Sequence, residues 1–224
     1  MGFINALFSD INANYYQDLN YERVDRLMLK ILWWQFVIIT LGTLAIYFFR
    51  PSDFYPSAFS WRDLALPEVV GSIALGFLAS FIPTLLRGKL ANHYHYRLLV
   101  MAAYMMYSFI LILVSGGSIE MHFYLFGIWS LLILYYDSRL IWVGFAIMLL
   151  HRIILNYVHP IWLYHYGRND VAFFAHLIFA FLAAFFIAHI AMNGRRSMIS
   201  VSEANKLLKS RVAGTAQATN TTSV

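Results

Sequence analysis

Histidine and glutamate side chains recur near the ends of the apolar segments of this chain, which is otherwise poor in charge. Eight His are present, charged residues make up only 12% of the sequence, and there is no Cys. The candidate ligand residues are Glu68, Glu120, His122, His151 and His176. Neutral imidazole binds Zn, Cu and Fe, and carboxylates complete such sites. Two His on facing helices also suit axial ligation of haem iron. The predicted cofactor is therefore a transition metal (Cu, Zn or Fe) or haem.

The elements that must position these residues follow from composition. The chain has 224 residues, of which 61% are hydrophobic. A soluble domain carries about 45–50% apolar and about 25% charged residues, so a soluble enzyme and a disordered protein are excluded. The apolar segments lack the polar alternation of an outer-membrane barrel. A helical integral membrane protein is the class that remains.

Apolar runs predict six membrane spans, each close to the roughly 20 residues that a bilayer crossing requires. The spans are predicted at about 29–49, 67–86, 97–115, 119–136, 139–158 and 171–193. The fold class is therefore all-α: an integral membrane six-helix bundle with an amphipathic N-terminal helix and a C-terminal cytoplasmic signalling helix. The predicted units are a cytoplasmic amphipathic segment at 1–27, a transmembrane sensor domain at 28–194, a signalling and dimerisation helix at 195–212, and a disordered tail at 213–224.

Lys and Arg residues set the predicted orientation. With the N-terminus in the cytoplasm, twelve of them lie inside and only three, Arg50, Arg62 and Arg168, lie outside. This distribution obeys the positive-inside rule, so both termini are predicted to be cytoplasmic. The net charge of +5 therefore reports membrane orientation and gives no indication of nucleic-acid binding.

In this topology the candidate ligands share one layer of the outer leaflet. At 1.5 Å per residue, His122 lies about 5 Å, His176 about 7–8 Å and His151 roughly 10 Å below the outer surface. Glu68 and Glu120 begin their spans at that surface. Ionisable residues inside a membrane are candidates for function. Three alternatives remain: hydrogen bonding between helices, a pH switch, and a metal-dependent enzyme with a Glu as general base. No HExxH or similar motif supports the enzyme.

Beyond the sixth predicted span, apolar residues repeat at a spacing near 3.5 residues. They are Met198, Val201, Ala204 or Asn205, Leu208 and Val212. Such a seam predicts a helix that leaves the membrane and pairs with a copy of itself, so the expected partner is a second chain in a homodimer. The alternative is a simple solvated helix.

Two tight turns carry their own signals. Asp137 and Arg139 lie in the predicted inner turn between the fourth and fifth spans. Asp137 is predicted to cap a helix start, and Arg139 to contact that Asp or lipid head groups. Gly116 and Gly117 are predicted to form the outer turn before the fourth span, where glycine tolerates a positive φ.

The stretch SGGSIEMHFYLFGIWSLLILYYDSRL resembles a segment of the membrane-embedded input modules that precede sensor histidine kinases, diguanylate cyclases and chemoreceptor-type signalling domains. There the pattern is Gly-Gly, Glu, His-Phe-His-Phe, an apolar span and Tyr-x-Asp-x-Arg. The resemblance covers roughly residues 24–195. The matching positions are Glu120, His122, Asp137, Arg139, His151 and His176, with Val24–Leu27 at the start and Pro83 in the second span. Tyr124 and Glu68 depart from it, because His is common at both positions.

The resemblance implies a sensory input domain in a bacterial inner membrane that relays to a cytoplasmic output domain. No catalytic residue is predicted, because the chain contains no kinase or cyclase signature. The helix at 195–212 is expected to continue into such an output domain, as it would in an excised module. Two other functions remain open: a receptor for a small hydrophobic, quorum-type signal, and a membrane haem or metal redox protein. A transporter is disfavoured because no inverted repeat is visible.

Overall fold

A computed structural model describes residues 21–49, 64–117, 119–160 and 168–222. All regular secondary structure in these ranges is helical. The helices are α1 (Glu22–Phe49), α2 (Leu66–Leu90), α3 (Tyr94–Val114), α4 (Ile119–Leu132), α5 (Ser138–Val158) and α6 (Asp170–Thr222), and a 3₁₀ turn at Ile133–Tyr135 follows α4. The predicted amphipathic helix falls largely on residues 1–20, which lie outside the described ranges.

Helix α3 forms the centre of the bundle and packs against α1, α2, α4 and α5. In its apolar window 61% of the residues are buried, against 22–28% in the corresponding windows of the other long helices. Tyr96, Tyr104 and Tyr107 of α3 are completely buried. Helix α6 packs on α5 and α4 at one side of the bundle.

The outer faces of the helices are apolar as well as exposed. Phe81 of α2, Ile154 of α5 and Phe179 of α6 are exposed by 42%, 47% and 67%. A helix that is apolar all round needs an apolar environment on its outer side. The exposed apolar surface is thus compatible with a membrane.

Among the described residues, five helices are long and apolar enough to cross a bilayer, namely α1, α2, α3, α5 and α6. The fourth apolar stretch, Met121–Tyr135, is shorter. The predicted all-helical bundle of apolar helices is confirmed, and the sixth crossing stays a prediction.

Short turns connect α3 to α4 and α4 to α5. Gly116 and Gly117 have φ values of 68° and 81°, as predicted for the turn before α4. Tyr136 ends the 3₁₀ turn with φ 48°, a left-handed conformation that is uncommon for a bulky side chain. Asp137 then caps α5, as predicted, by accepting a hydrogen bond from the Arg139 backbone N–H at 3.2 Å.

Helix α6 is the longest element, with 53 residues. Residues 200–214 are exposed on every side, so this part of α6 extends beyond the bundle. The helix continues to Thr222, through most of the segment for which the polar composition predicts disorder. That segment contains no proline, so its sequence holds no strong helix breaker.

Candidate functional site

Two of the predicted ligand residues meet near the start of α6. The imidazole rings of His122 on α4 and His176 on α6 have centroids 5.6 Å apart and planes tilted by 47°. His122 is only 3% exposed. The direct packing of α4 on α6 brings the rings together. We call these two residues the His pair.

A backbone contact orients the His176 ring. Its Nδ1 lies 2.7 Å from the carbonyl oxygen of Ala172, one turn earlier in α6. A carbonyl only accepts hydrogen bonds, so in a neutral ring Nδ1 carries the proton and Nε2 keeps its lone pair. Metal-binding histidines commonly donate their second N–H to a carbonyl in this way.

The beginning of α6 is tied to the end of α5. Asn156, which is fully buried, donates a hydrogen bond from Nδ2 to Oδ1 of Asp170 at 3.1 Å. Arg168 pairs with the same carboxylate at 2.8 Å. Asn169 accepts the backbone N–H of Ala172 through its Oδ1 at 2.9 Å. These bonds fix the position along the bundle at which α6 presents His176.

The structure places His151 and Glu68 in the lining of one cleft, which does not include His122 or His176. Both line a cleft of about 400 Å³. The His151 ring stacks on Phe109 of α3 at 3.8 Å between centroids, with an angle of 6°. Glu68 is the third residue of α2, and its Oε2 accepts the backbone N–H of the N-cap residue Ala65 at 2.9 Å. We call this space the Glu68–His151 cleft.

The described members of the predicted ligand layer lie in two places, the His pair and the Glu68–His151 cleft. In the described part of the chain, no group of three or more His, Cys, Asp or Glu side chains lies close enough together to hold a metal ion. The side chain of Glu120, two residues before His122, falls outside the described part. The single five-residue ligand set stays a prediction, and the described side chains support two smaller groups.

Sequence reasoning left Arg152 without a role inside the fifth predicted span. The structure buries it to 4% exposure, directly after His151 in α5. An arginine inside an apolar span carries a high desolvation cost, and such residues are candidates for function. Its position in the fifth span could therefore have marked Arg152 as a candidate site residue.

A second polar cluster occupies the opposite end of the bundle, and Asp137 is its centre. The Asp137 carboxylate, which is completely buried, accepts hydrogen bonds from Nε and Nη2 of Arg139, both at 2.9 Å. Nη2 of Arg97, itself 2% exposed, lies 3.4 Å from Asp137. The buried ion pair joins α3 to the start of α5.

The same cluster reaches the exit of α6. The Arg97 guanidinium lies 4.1 Å from the centroid of the Tyr21 ring, an arrangement typical of cation–π contacts. Nη1 of Arg195, which is 3% exposed, donates a hydrogen bond to the Tyr21 hydroxyl at 2.9 Å. The positive-inside rule places Arg195 among the twelve basic residues predicted to be cytoplasmic, and no pattern in the sequence singles out Tyr21. We call Tyr21, Arg97, Asp137, Arg139 and Arg195 the inner cluster.

No known protein family, curated protein or solved structure matches this chain. The geometry of the His pair, the Glu68–His151 cleft and the inner cluster therefore provides the clues to function.

Proposed function

We propose that the chain is a membrane-embedded sensory input module of a bacterial signalling protein. In this proposal a transition-metal ion binds near the outer membrane surface, and α6 carries the resulting change in packing to a cytoplasmic output domain. The module itself has no catalytic role. The proposal agrees with the resemblance of the central segment to input modules of sensor kinases and cyclases.

The continuity of α6 is the observation that carries the proposal. One uninterrupted helix holds His176 near its start, Arg195 in the inner cluster, and an exposed segment beyond it. From His176 to Arg195 the helix rises by about 28 Å at 1.5 Å per residue, close to the thickness of a bilayer core. A shift or rotation of α6 at the His pair would therefore also move the part of α6 at the other side of the membrane.

The His pair fits one metal ion. Two imidazoles on a tetrahedral ion with metal–nitrogen distances of about 2.0–2.1 Å have ring centroids roughly 5 Å apart. The observed 5.6 Å is close to this value. Axial ligation of haem would place a porphyrin between the rings, and the direct packing of α4 on α6 favours the smaller group. Coordination would supply a cross-link between these two helices, with His122 and His176 as the ligands and Glu120 as the nearest carboxylate in sequence.

Six crossings and cytoplasmic termini belong to this proposal. The starts of α3, α5 and the exit of α6 meet in the inner cluster, whereas the His pair joins the starts of α4 and α6 at the other end. Helix α4 and its 3₁₀ turn therefore run between the two ends of the bundle, as a crossing would. The inner cluster contains three of the Arg residues that the positive-inside rule places in the cytoplasm.

A parallel homodimer completes the proposal. The exposed seam of α6 fits a heptad repeat in which Met198, Asn205 and Val212 occupy a positions and Val201 and Leu208 occupy d positions. A single Asn at an a position with Leu at a d position is typical of parallel two-stranded coiled coils. The proposed partner of this seam is the same seam of a second chain.

Elemental analysis and a visible spectrum of the purified full chain test the metal site. We expect a transition metal that is lost from the double variant His122→Ala/His176→Ala. His189→Ala is the matched control, because His189 lies on the same helix but is exposed and contacts Asn193. Metal retained in the double variant, or lost equally from the control, would contradict the metal site. A Soret band with reversible redox changes would instead favour a haem redox protein.

A receptor for a small hydrophobic signal is the second candidate function. The Glu68–His151 cleft favours it, because polar and ionisable side chains there lie among apolar walls in the part of the bundle that holds the His pair.

A further inference from the structure

We propose that the Glu68–His151 cleft is a binding site for a neutral single-chain amphiphile whose head group carries a hydroxyl. The site is separate from the His pair and requires no metal. Either proposal, the amphiphile site or the metal site, can therefore be wrong without affecting the other.

The cleft exists because α2 and α5 both pack on α3 and leave a space over its surface. Phe109 and Leu113 of α3 form the floor of the cleft, and Leu75 and Leu155 line its sides. From Glu68 to Leu75 the wall formed by α2 is about 10 Å long at 1.5 Å per residue. An elongated apolar tail is the shape that such a space accepts.

The polar groups of the cleft define the head group. A carboxylate is an acceptor, so Glu68 selects a ligand that donates a hydrogen bond and disfavours one that is itself a carboxylate. Phe109 covers one face of the His151 ring, and the ring nitrogens at its edge can donate to or accept from a hydroxyl. Ser72, only 5% exposed, adds a third polar side chain to the lining. A neutral hydroxyl satisfies these groups better than an acid.

A second cleft, of about 470 Å³, provides an internal comparison. It lies between α1, α3 and α4, and its lining includes Gln35, Gly42 and Tyr124 but no carboxylate or imidazole. Apart from the hydroxyls of Thr43 and Ser115 the rest of the lining is apolar, and no lining side chain is ionised at neutral pH. Lipid chains are therefore expected to occupy this cleft without selection between a charged and a neutral head group. Selectivity at the Glu68–His151 cleft can therefore be separated from general partition into apolar space.

The test uses decanol carrying a photoreactive diazirine, added to the purified full chain in lipid nanodiscs. After irradiation, mass spectrometry maps the labelled residues. We expect label on α2, α3 and α5 around Phe109 and Leu155, competed by unlabelled decanol and weakly by decanoate. Loss of one neutral hydrogen bond in His151→Phe should lower decanol affinity about fivefold. This substitution keeps an aromatic ring against Phe109.

Two glycines allow a matched blocking experiment. A Cβ at Gly71, in the Glu68–His151 cleft, or at Gly42, in the other cleft, would meet nothing within 4 Å. Gly71→Leu should abolish labelling around Phe109, whereas Gly42→Leu should leave it unchanged. Glu68→Gln keeps the capping pattern but removes the charge, so decanoate should then compete as well as decanol.

Three results would overturn the proposal. They are equal loss of label in the Gly71→Leu and Gly42→Leu variants, equal competition by decanol and decanoate in the unaltered chain, and label confined to the lipid-facing surface. Metal content measured on Gly71→Leu shows whether any effect extends to the His pair, and we expect it to be unchanged.

Discussion

Arg195 of α6 donates a hydrogen bond to the hydroxyl of Tyr21 at 2.9 Å, although 174 residues separate the two. Tyr21 lies just before α1, and Arg195 is the last well-buried residue of α6 before its exposed segment. The contact ties the exit of α6 to the beginning of the described bundle. Any movement of α6 that reaches the exposed segment must strain or break the hydrogen bond between Arg195 and Tyr21.

Tyr21→Phe should release the exit of α6 without altering the shape of the buried ring. A hydrogen bond to a charged group contributes about 1.5–3 kcal/mol, and this variant removes the one that Arg195 donates to the Tyr21 hydroxyl. Hydrogen exchange of the backbone amides around Arg195 should therefore become faster. Lys206→Gln, on the exposed part of α6, is the control and should leave exchange at Arg195 unchanged. Unaltered protection in Tyr21→Phe would show that the contact does not hold the helix.

Asp137→Asn should strongly destabilise the bundle. The Asn side-chain oxygen can still cap α5, but the charge between Arg97 and Arg139 is lost, and Arg97 stays buried. Breaking a buried ion pair in this way costs about 3–5 kcal/mol. Thermal unfolding in detergent, followed by circular dichroism, measures the loss. Glu22→Gln is the matched control, because the ion pair between Glu22 and Arg26 is exposed, and it should change the midpoint far less. Similar midpoints for both variants would mean that the inner cluster does not stabilise the fold.

Gly194→Ala should disturb the same end of the bundle for a steric reason. A Cβ at Gly194 would lie 2.6 Å from Cε1 of the Tyr136 ring, closer than real Cβ contacts allow. The Tyr136 ring would therefore have to shift, and the left-handed backbone at φ 48° leaves the main chain there little room to follow it. Overpacking of this kind costs about 1–3 kcal/mol.

Thermal unfolding also measures this effect. Gly88→Ala, at a helical position where a Cβ meets nothing within 4 Å, should stabilise by up to about 1 kcal/mol through helix propensity alone. Adding Tyr136→Asn to Gly194→Ala removes the ring and supplies a residue that tolerates the left-handed conformation, so it should restore much of the loss. A Gly194→Ala variant as stable as the unaltered chain would contradict the predicted clash.

Cysteine cross-linking tests the parallel dimer directly, because the chain contains no natural Cys. Leu208→Cys places a thiol at a d position, where two parallel helices in register bring identical residues together. Mild oxidation should produce a disulfide-linked dimer. Ser210→Cys, at the f position on the opposite face, should stay monomeric on the same gel. Equal cross-linking at both positions would indicate collision between chains and would contradict the proposed seam.

The sequence alone determined the class of fold and its local signals. Continuous apolar runs of about 20 residues give helices that are apolar on all sides, and such helices need an apolar environment. This holds for any order of the helices in the bundle. The positive φ of Gly116 and Gly117 and the cap formed by Asp137 were also predictable, because each depends on neighbours within a few residues. Such features are readable from spacing along the chain.

Only the tertiary structure decided which of the candidate residues meet. Depth along a helix places His122, His151 and His176 in one layer but gives no information about the side of the bundle on which each lies. The packing of α4 on α6 pairs His122 with His176, and the space between α2 and α5 places Glu68 beside His151. The contact between Tyr21 and Arg195 could not be predicted either, because no sequence pattern relates two residues that lie 174 positions apart. Helix order around the bundle is a property of side-chain packing between distant segments, and only the folded chain contains it.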